Sequence, residues 1–325
     1  MASSTSRPTR LVVVGAAVVL LAAVLIWLFT VLVPTLTASP FTGKSLYLDP
    51  NSSVAKAVSS GTSAADLGAL PTTAAGIWIL PEVHPTSSVT AYVDSLAATA
   101  NAQGALPVIV IYGIPNRDCN NQSAGGLSEA EYPGWITAIA NGLAGHSAAV
   151  ILEPDSLALA SDCNNVDTRV AQIRDAVARL NATDSAITGT DLSIYLDGGH
   201  STWLAADVQA GLLQRAGIEN VRGFATNVSN FNSTASEQAY DEQVSSLTGG
   251  SHYVIDTSRN GNGTNGEWCN PSGRKLGDTP GTAGIAGKQD ANLWIKNPGE
   301  SDGECNGGPA AGQWWNDGAL ALVRG

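Results

Sequence analysis

Three aspartates follow short apolar runs that have the composition of buried strands, so their carboxyl groups could act together. They are Asp118 in Tyr-Gly-Ile-Pro-Asn-Arg-Asp-Cys (112–119), Asp155 in Glu-Pro-Asp-Ser (153–156) and Asp197 in Tyr-Leu-Asp-Gly-Gly-His-Ser (195–201). One such aspartate alone is most often a turn former or helix cap, but three on successive loops of a barrel share one mouth. Because like charges a few ångströms apart disfavour joint ionisation, at least one carboxyl should stay protonated. A proton donor beside ionised carboxylates is what glycoside hydrolysis requires.

Two tryptophans lie in polar, glycine-rich surroundings. Trp203 follows His200 by three residues, and Trp268 comes shortly after the run Gly-Asn-Gly-Thr-Asn-Gly (261–266). A tryptophan taken alone is as often a core residue as a binding residue, but these neighbours are poor ones for a core. Aromatic rings offer apolar faces on which the C–H faces of pyranose rings can stack. We therefore predict that both tryptophans bind sugar.

Short apolar runs alternate with longer segments of helical period from Lys44 onward. The runs predicted as strands are Ser45–Leu48, Gly76–Leu80, Leu106–Tyr112, Ala149–Leu152, Leu192–Leu196, Val221–Ala225 and His252–Ile255. The segments predicted as helices are Val89–Ala102, Tyr132–Leu143, Asp167–Asn181 and Thr202–Ala216. This alternation indicates parallel strands, and about seven repeats predict an α/β barrel rather than an open sheet. Residues 257–312 lack the pattern, but their tryptophans and cysteines predict an ordered, functional loop region.

The first 40 residues differ from the rest. Arg7 and Arg10 precede Leu11–Val33, an uncharged run of 23 residues that is long enough to span a bilayer. We expect residues 1–40 to be a signal anchor or a signal peptide, with Thr37-Ala38 as a possible cleavage site, and residues 41–325 to form the catalytic domain. The positive-inside rule places that domain outside the cytoplasm, and we expect it to be exported and either anchored at the cell surface or secreted.

Charge and cysteine content narrow the class of protein. Residues 41–325 contain 14 basic and 28 acidic residues, a net charge of −14 that would repel the phosphates of nucleic acid. Four cysteines in an exported chain suggest two disulfides with three possible pairings, and their two-by-two distribution favours Cys119–Cys163 and Cys269–Cys305. Neither the cysteines nor the four histidines have the spacing of zinc ligands, so no metal or other cofactor is expected.

Six segments resemble the motifs of glycoside hydrolase family 6, which contains cellulases. Two are Tyr-Gly-Ile-Pro-Asn-Arg-Asp-Cys (112–119) and Leu-Glu-Pro-Asp-Ser-Leu (152–157). The others are Tyr-Leu-Asp-Gly-Gly-His (195–200), Asp-Thr-Ser-Arg-Asn-Gly-Asn-Gly (256–263), Glu-Trp-Cys-Asn-Pro (267–271) and Trp-Ile-Lys-Asn-Pro-Gly-Glu-Ser-Asp-Gly (294–303). The resemblance covers the whole exported part from about Ser45. It implies a distorted seven-stranded TIM-like parallel β/α barrel, hydrolysis of β-1,4-glucan with inversion, and the same two disulfides.

The resemblance also assigns roles to residues. Asp155 corresponds to the general acid, and Asp118 to an aspartate that keeps this acid protonated and influences the base step. Tyr112 corresponds to the tyrosine beneath the distorted sugar ring, and Asp302 to a candidate general base whose role a water chain could take instead. The positions that match substrate-binding or supporting residues are Asp197, His200, Trp203, Trp268, Arg274, Lys296 and Glu300.

Two departures from the family bear on the mode of action. No cellulose-binding module or linker is visible, so attack on crystalline cellulose is not expected. Only 35 residues separate Cys269 from Cys305, which favours an open cleft and an endoglucanase over a tunnel-forming cellobiohydrolase. Two other readings are an inactive glucan-binding protein, which should lack a key carboxylate, and a metal-dependent hydrolase, which EDTA should inhibit. The expected partner is a β-1,4-glucan, and the protein is expected to be a monomer.

Overall fold

The computed structural model of the chain describes Met1 and residues 38–184, 191–285 and 287–325. Its strands are β1 (Ser45–Leu46), β2 (Ile77–Ile79), β3 (Ala105–Leu106), β4 (Val108–Ile111), β5 (Ser147–Leu152), β6 (Asp191–Asp197), β7 (Gly223–Thr226), β8 (His252–Asp256) and β9 (Gln289–Leu293). Its α-helices are α1 (Ser53–Ser59), α2 (Thr86–Ala102), α3 (Tyr132–Leu143), α4 (Val166–Asp184), α5 (Ala206–Ala216), α6 (Thr234–Leu247) and α7 (Asn316–Arg324). The predicted Leu11–Val33 segment lies outside the described residues.

Seven strands form one curled parallel sheet, in the order β2-β4-β5-β6-β7-β8-β9. The first and last strands approach each other, and Gly76 N donates to Trp294 O at 2.7 Å beside them. This arrangement agrees with a distorted TIM-like barrel that is open between its edge strands. Strand β1 does not belong to this sheet but pairs with β3 in a separate two-stranded sheet.

The strands are covered on both sides, which explains their continuous apolar sequences. In β4, Val108 and Val110 face the interior of the barrel, whereas Ile109 and Ile111 pack against the helices. The small residues Ala149, Ala225 and Ala291 also face the interior, and larger side chains such as Tyr195 and Ile295 fill the space beside them. The barrel interior is therefore a packed core, and ligands must bind at an end of it.

Most of the predicted elements are present, and one strand was missed. The helix Tyr132–Leu143 has the predicted bounds, and the predicted helix from Thr202 begins at Ala206, because residues 201–204 form a turn. The expectation that residues 257–312 form a loop region is wrong at Gln289–Leu293, because this segment is β9 and completes the sheet. Helices α1, α6 and α7 lie in segments for which no helix is predicted.

A buried charge cluster closes the amino-terminal end of the barrel. Asp290 in β9 accepts hydrogen bonds from Arg222 Nε at 2.8 Å and from Tyr195 OH at 2.7 Å. Burial opposes the charge of Asp290, but these donors and His252 outweigh it and lower the pKa of the carboxyl. Phe41 stacks on Tyr195 at the same end, with ring centroids 6.3 Å apart. The chain therefore enters the fold at the end opposite the carboxyl ends of the strands.

Two disulfides tie the loops at the other end. Cys119 in the loop after β4 pairs with Cys163 in the loop after β5, and Cys269 in the loop after β8 pairs with Cys305 in the loop after β9. These are the pairs that the distribution of the cysteines favours. Among the residues that the structure describes, no helix is long and apolar enough to span a membrane.

The contact between α2 and α3 gives a test of the packing. A Cβ at Gly142 would lie 2.6 Å from the carbonyl oxygen of Thr90, so the two helices approach closely at that glycine. We expect Gly142→Ala to lower the free energy of unfolding by about 1–3 kcal/mol, because overpacking forces the helices apart. Urea unfolding followed by circular dichroism measures the change.

Gly134 in the same helix provides the matched control. It is exposed, and a Cβ there would have no neighbour within 4 Å. Gly134→Ala should raise the free energy of unfolding by about 0.5–1 kcal/mol, because alanine loses less backbone entropy on folding. Equal stability of the two variants would contradict the close approach at Gly142.

Candidate active site

A cleft of about 1080 Å³ lies at the carboxyl ends of the sheet strands. The predicted site residues that line it are Tyr112, Asp118, Asp155, His200, Trp203, Trp268, Lys296, Glu300 and Asp302. Loops after all seven strands of the sheet contribute to its walls. The fold therefore brings nine side chains, spread over 191 positions of sequence from Tyr112 to Asp302, to one site.

The backbone of these loops is strained. Ten described non-glycine residues have φ between 47° and 66°: Asn116, Asp118, Cys119, Glu153, Asp155, Asn164, Asn227, Ser229, Asn270 and Asn306. All ten follow the carboxyl end of a sheet strand. Left-handed backbone costs an L-residue about 1–2 kcal/mol. The loops that carry Asp118 and Asp155 therefore hold strain that the surrounding contacts must offset.

Asp155 is held in its protonated form. Burial raises the pKa of this carboxyl well above its usual range, and the negative charges of Asp197 and Asp118 raise it further. The charge of Lys296 opposes these effects but does not outweigh them. Asp155 can therefore donate a proton at a pH where an ordinary aspartate is ionised.

Asp197 lies beneath Asp155 and does not line the cleft itself. It is only 2% exposed, and it accepts hydrogen bonds at 3.0 Å from the backbone N–H groups of Asp155 and Gly199. Burial raises the pKa of Asp197 to about 7, against the effect of these two donors. Asp197 thus holds the backbone of Asp155 in place, and its ionised form adds negative charge next to that carboxyl.

Asp118 and Tyr112 are joined through Ser123. Asp118 Oδ2 accepts from Ser123 N at 2.8 Å and lies 2.9 Å from Ser123 Oγ, which in turn lies 2.9 Å from Tyr112 OH. The ring of Tyr112 packs edge-on against Trp78, with centroids 5.3 Å apart, and the Arg117 guanidinium lies 4.7 Å from the Tyr112 centroid. The tyrosine is therefore fixed at the floor of the cleft.

Asp302 is an ionised carboxylate between two cations. Arg259 Nη1 donates to its Oδ2 at 2.9 Å, and Lys296 Nζ lies 3.7 Å from its Oδ1. Asn270 N donates to the same Oδ2 at 3.0 Å. Burial alone would raise the pKa of Asp302, but Arg259 and Lys296 outweigh it and lower the pKa. The charge state of Asp302 is thus opposite to that of Asp155.

Glu300 lies beside Lys296 and close to α1. Burial raises the pKa of Glu300, whereas Lys296 and the hydroxyl of Ser53 lower it in part. Asn297 Nδ2 donates to its Oε2 at 3.5 Å. The carboxyl of Glu300 thus shares Lys296 with Asp302.

His200 and Trp203 form one wall of the cleft. Their ring centroids are 5.3 Å apart, and His200 Nδ1 lies 3.0 Å from Asn232 Nδ2 and 3.1 Å from Thr202 Oγ1. Burial lowers the pKa of His200 to about 4, so the imidazole is neutral above that pH. Trp268 lies at the rim and is 53% exposed, which is unusual for a tryptophan without a binding role.

Arg274 is the predicted residue that the structure does not bring to the site. Its guanidinium donates to the backbone carbonyls of Gly263 and Ser272, and it does not line the cleft. This geometry gives no support to the expectation that Arg274 binds substrate. The reason is local: the backbone of the loop region itself takes up the donors of this side chain.

Several residues that line the cleft or contact its carboxylates are not among the predicted site residues. Trp78 lines the cleft, and its Nε1 donates to Ile295 O at 2.9 Å. Ser123 and Arg259 contact Asp118 and Asp302 directly. The inward-facing position of Trp78 in a short strand was a usable signal, whereas nothing in the sequence pairs Arg259 with Asp302. In the described part of the chain, no group of three or more His, Cys, Asp or Glu could hold a metal ion.

The chain is similar to known proteins of one family. Residues 41–325 match the family model of glycosyl hydrolases family 6. The chain is 43% identical over 280 residues to endoglucanase A of Cellulomonas fimi, an alignment that covers 86% of this chain and 60% of that protein. It is 34% identical over 330 residues to a probable 1,4-β-D-glucan cellobiohydrolase C of Aspergillus niger, covering 83% of this chain and 71% of that protein.

A solved structure shares the fold as well as the sequence. The endoglucanase Cel6 from Mycobacterium tuberculosis, in complex with methyl-cellobiosyl-4-deoxy-4-thio-β-D-cellobioside, superposes with a TM-score of 0.83 at 42% identity. The match covers 88% of this chain and 99% of that one. The family match, the identities and the shared fold agree with one another. The chain therefore belongs to glycosyl hydrolases family 6.

Proposed function

We propose that this protein hydrolyses internal β-1,4-glucosidic bonds of cellulose or a related β-glucan, with inversion at the anomeric carbon. The observation that carries the proposal is the pair of opposite charge states in one cleft, a protonated Asp155 and an ionised Asp302. The alignment spans about 60% of the length of the Cellulomonas fimi endoglucanase, so we propose the activity for this chain from its own site.

The first step is protonation of the glycosidic oxygen. Asp155 donates this proton as the bond to the anomeric carbon breaks and an oxocarbenium-like centre develops. Asp118 and Asp197 raise the pKa of Asp155, which keeps the proton available until the leaving oxygen takes it. Tyr112, fixed by Trp78 and Arg117, is the surface against which the distorted sugar ring packs.

As that bond breaks, a water molecule attacks the anomeric carbon from the opposite face and loses a proton. Asp302 is the candidate general base, and its two cationic neighbours keep it ionised. The same neighbours make it a weak base, because they lower its pKa. A water chain that carries the proton away from the site is the alternative for this step.

The remaining lining residues suit a neutral sugar chain. Trp203 and Trp268 supply apolar faces for pyranose rings. His200, Lys296 and Glu300 supply polar groups within reach of sugar hydroxyls, and Asp197 supports the site from below. Arg274 has no place in this scheme.

A cellobiohydrolase is the alternative activity, and the fungal relative supports it at a lower identity. The higher identities to two bacterial endoglucanases and the short Cys269–Cys305 segment favour internal cutting. The presence of Asp118, Asp155 and Asp302 in one cleft argues against an inactive glucan-binding protein.

We further propose that residues 41–325 form an exported catalytic domain. The two disulfides support export, because such bonds persist in oxidising compartments. Membrane anchoring by Leu11–Val33 stays a prediction, as does the division at residue 40.

A first prediction concerns the products. The viscosity of carboxymethylcellulose should fall steeply while few reducing ends appear, because internal cuts shorten chains quickly. Proton NMR of cellopentaose hydrolysis should show the α-anomer first, as inversion of a β-bond requires. Steady cellobiose release with little loss of viscosity would support the cellobiohydrolase, and initial β-anomer would contradict inversion.

A second prediction tests the acid. Asp155→Asn keeps the shape of the carboxyl but cannot protonate the leaving oxygen, so kcat on cellopentaose should fall by roughly 10²–10⁴-fold. A dinitrophenyl β-cellobioside needs little protonation and should lose far less rate. The exposed Asp162 in the same loop is the control, and Asp162→Asn should keep full activity. An equal loss on both substrates would show that Asp155 is not the acid.

A third prediction concerns pH. Activity needs protonated Asp155, so it is present below the raised pKa of that group and is lost as the pH rises through it. Asp118→Asn removes a negative charge that raises this pKa, so the alkaline limb of kcat/KM should move to lower pH. Asp162→Asn should leave the limb in place. An unmoved limb in Asp118→Asn would contradict the assigned role of Asp118.

A further inference from the structure

Glu153 is a fully buried carboxylate beside the site, and the proposed mechanism does not use it. Its exposure is 0%, and it accepts hydrogen bonds from Gly113 N to both of its oxygens at 3.0 and 3.1 Å. Ile114 N donates to Oε2 at 3.0 Å, and Tyr132 OH donates to Oε1 at 3.0 Å. These hydrogen-bond partners of the Glu153 carboxylate are all donors.

Arg169 in α4 binds the same backbone segment by donating to the carbonyl groups of that segment. It is 1% exposed, and it donates from Nη1 to Pro115 O at 2.9 Å and from Nη2 to Asn116 O at 3.1 Å. Its positive charge also interacts with the negative charge of the Glu153 carboxylate. The segment 113–116 is therefore held by an acceptor for its N–H groups and a donor for its carbonyls.

This segment has a particular place in the site. It leads directly from Tyr112 to the loop that carries Asp118, and Glu153 lies two residues before Asp155. The backbone at Asn116, Glu153 and Asp155 is left-handed, so it needs external contacts to keep its conformation. The contacts of Glu153 consequently connect the loop of the acid to the loop of Asp118.

Buried charged groups are a poor way to stabilise a fold. Their desolvation penalty can exceed the attraction that they gain, and apolar residues of similar volume often stabilise as well or better. What such groups do supply is a defined geometry, since each hydrogen bond fixes a distance and a direction. A role in geometry therefore explains Glu153 and Arg169 better than a role in stability.

We propose that Glu153 and Arg169 are positioning residues that set the distance between the general acid Asp155 and the loop of Tyr112 and Asp118. This inference rests on the proposed function. It requires that Asp118 stays close enough to raise the pKa of Asp155, and that Tyr112 stays beneath the reacting sugar. Loosening the segment 113–116 should therefore change catalysis even in a fully folded enzyme.

The test is Glu153→Gln, assayed on cellopentaose with the full chain. The amide nitrogen would face the N–H of Gly113 or Ile114, so the segment should shift. A displacement of about 1 Å at a reacting group can lower the rate by about 100-fold, so we expect kcat to fall roughly 10- to 100-fold with little change in KM. The alkaline limb of kcat/KM should also move to lower pH, because Asp118 moves away from Asp155.

Asp290→Asn is the matched control. Asp290 is also a buried carboxylate with arginine and tyrosine donors, but it lies at the opposite end of the barrel. It should lower the melting temperature while kcat and the pH profile per folded molecule stay unchanged. Arg169→Met should reproduce the effect of Glu153→Gln, and the double variant should lose less than the product of the two single losses.

The outcomes separate the two levels of the proposal. If Glu153→Gln lowered activity only in proportion to the folded fraction, with an unmoved alkaline limb, both residues would be structural and the inference would fail. If Glu153→Gln did not fold, Arg169→Met would decide in the same assays. An inactive wild-type enzyme would overturn the proposed function instead.

Discussion

Asp155 keeps its proton because its surroundings make ionisation of the carboxyl unfavourable. Ionisation would place a further negative charge in a buried position beside Asp118 and Asp197, and this repulsion is what the site uses. Carboxylates left to themselves would move apart or bind water. The strands, the Cys119–Cys163 disulfide and the contacts of Ser123 therefore act together to keep like charges close.

The same constraint explains the division of the barrel into two ends. At the amino-terminal end, Asp290 is paired with Arg222, which lowers the pKa of Asp290, so the buried negative charge there is balanced by a positive one. At the carboxyl end, no ion pair to Asp155 is found among the described residues, and burial and the neighbouring carboxylates suppress its charge more than Lys296 favours it. The stable end fixes the strands, and the strands fix the spacing of the carboxyls that repel each other.

The sequence predicts those parts of the structure whose conformation or role depends on residues close to each other along the chain. Val108–Ile111 is recognisable because an apolar, β-branched run has few other uses, and Asp155 because a carboxylate after such a run points to the mouth of a barrel. Gln289–Leu293 was missed because its polar side chains are buried through partners such as Gln238, 51 positions away in sequence. Arg274 does not line the cleft because its guanidinium bonds to the backbone at Gly263, a contact that no spacing of residues reveals, and its role in binding stays a prediction.

The left-handed residues around the cleft have a consequence for engineering the enzyme for heat resistance. Replacing such residues by glycine is a common way to remove local strain. At Asp118 and Asp155 a change to glycine would remove the carboxyl group that the site requires. At Asn164 or Asn306, which are not among the lining residues, the same change would be free of that conflict. Gains in thermal tolerance should therefore come from the outer loops and the helices, while the centre of the cleft keeps its strain.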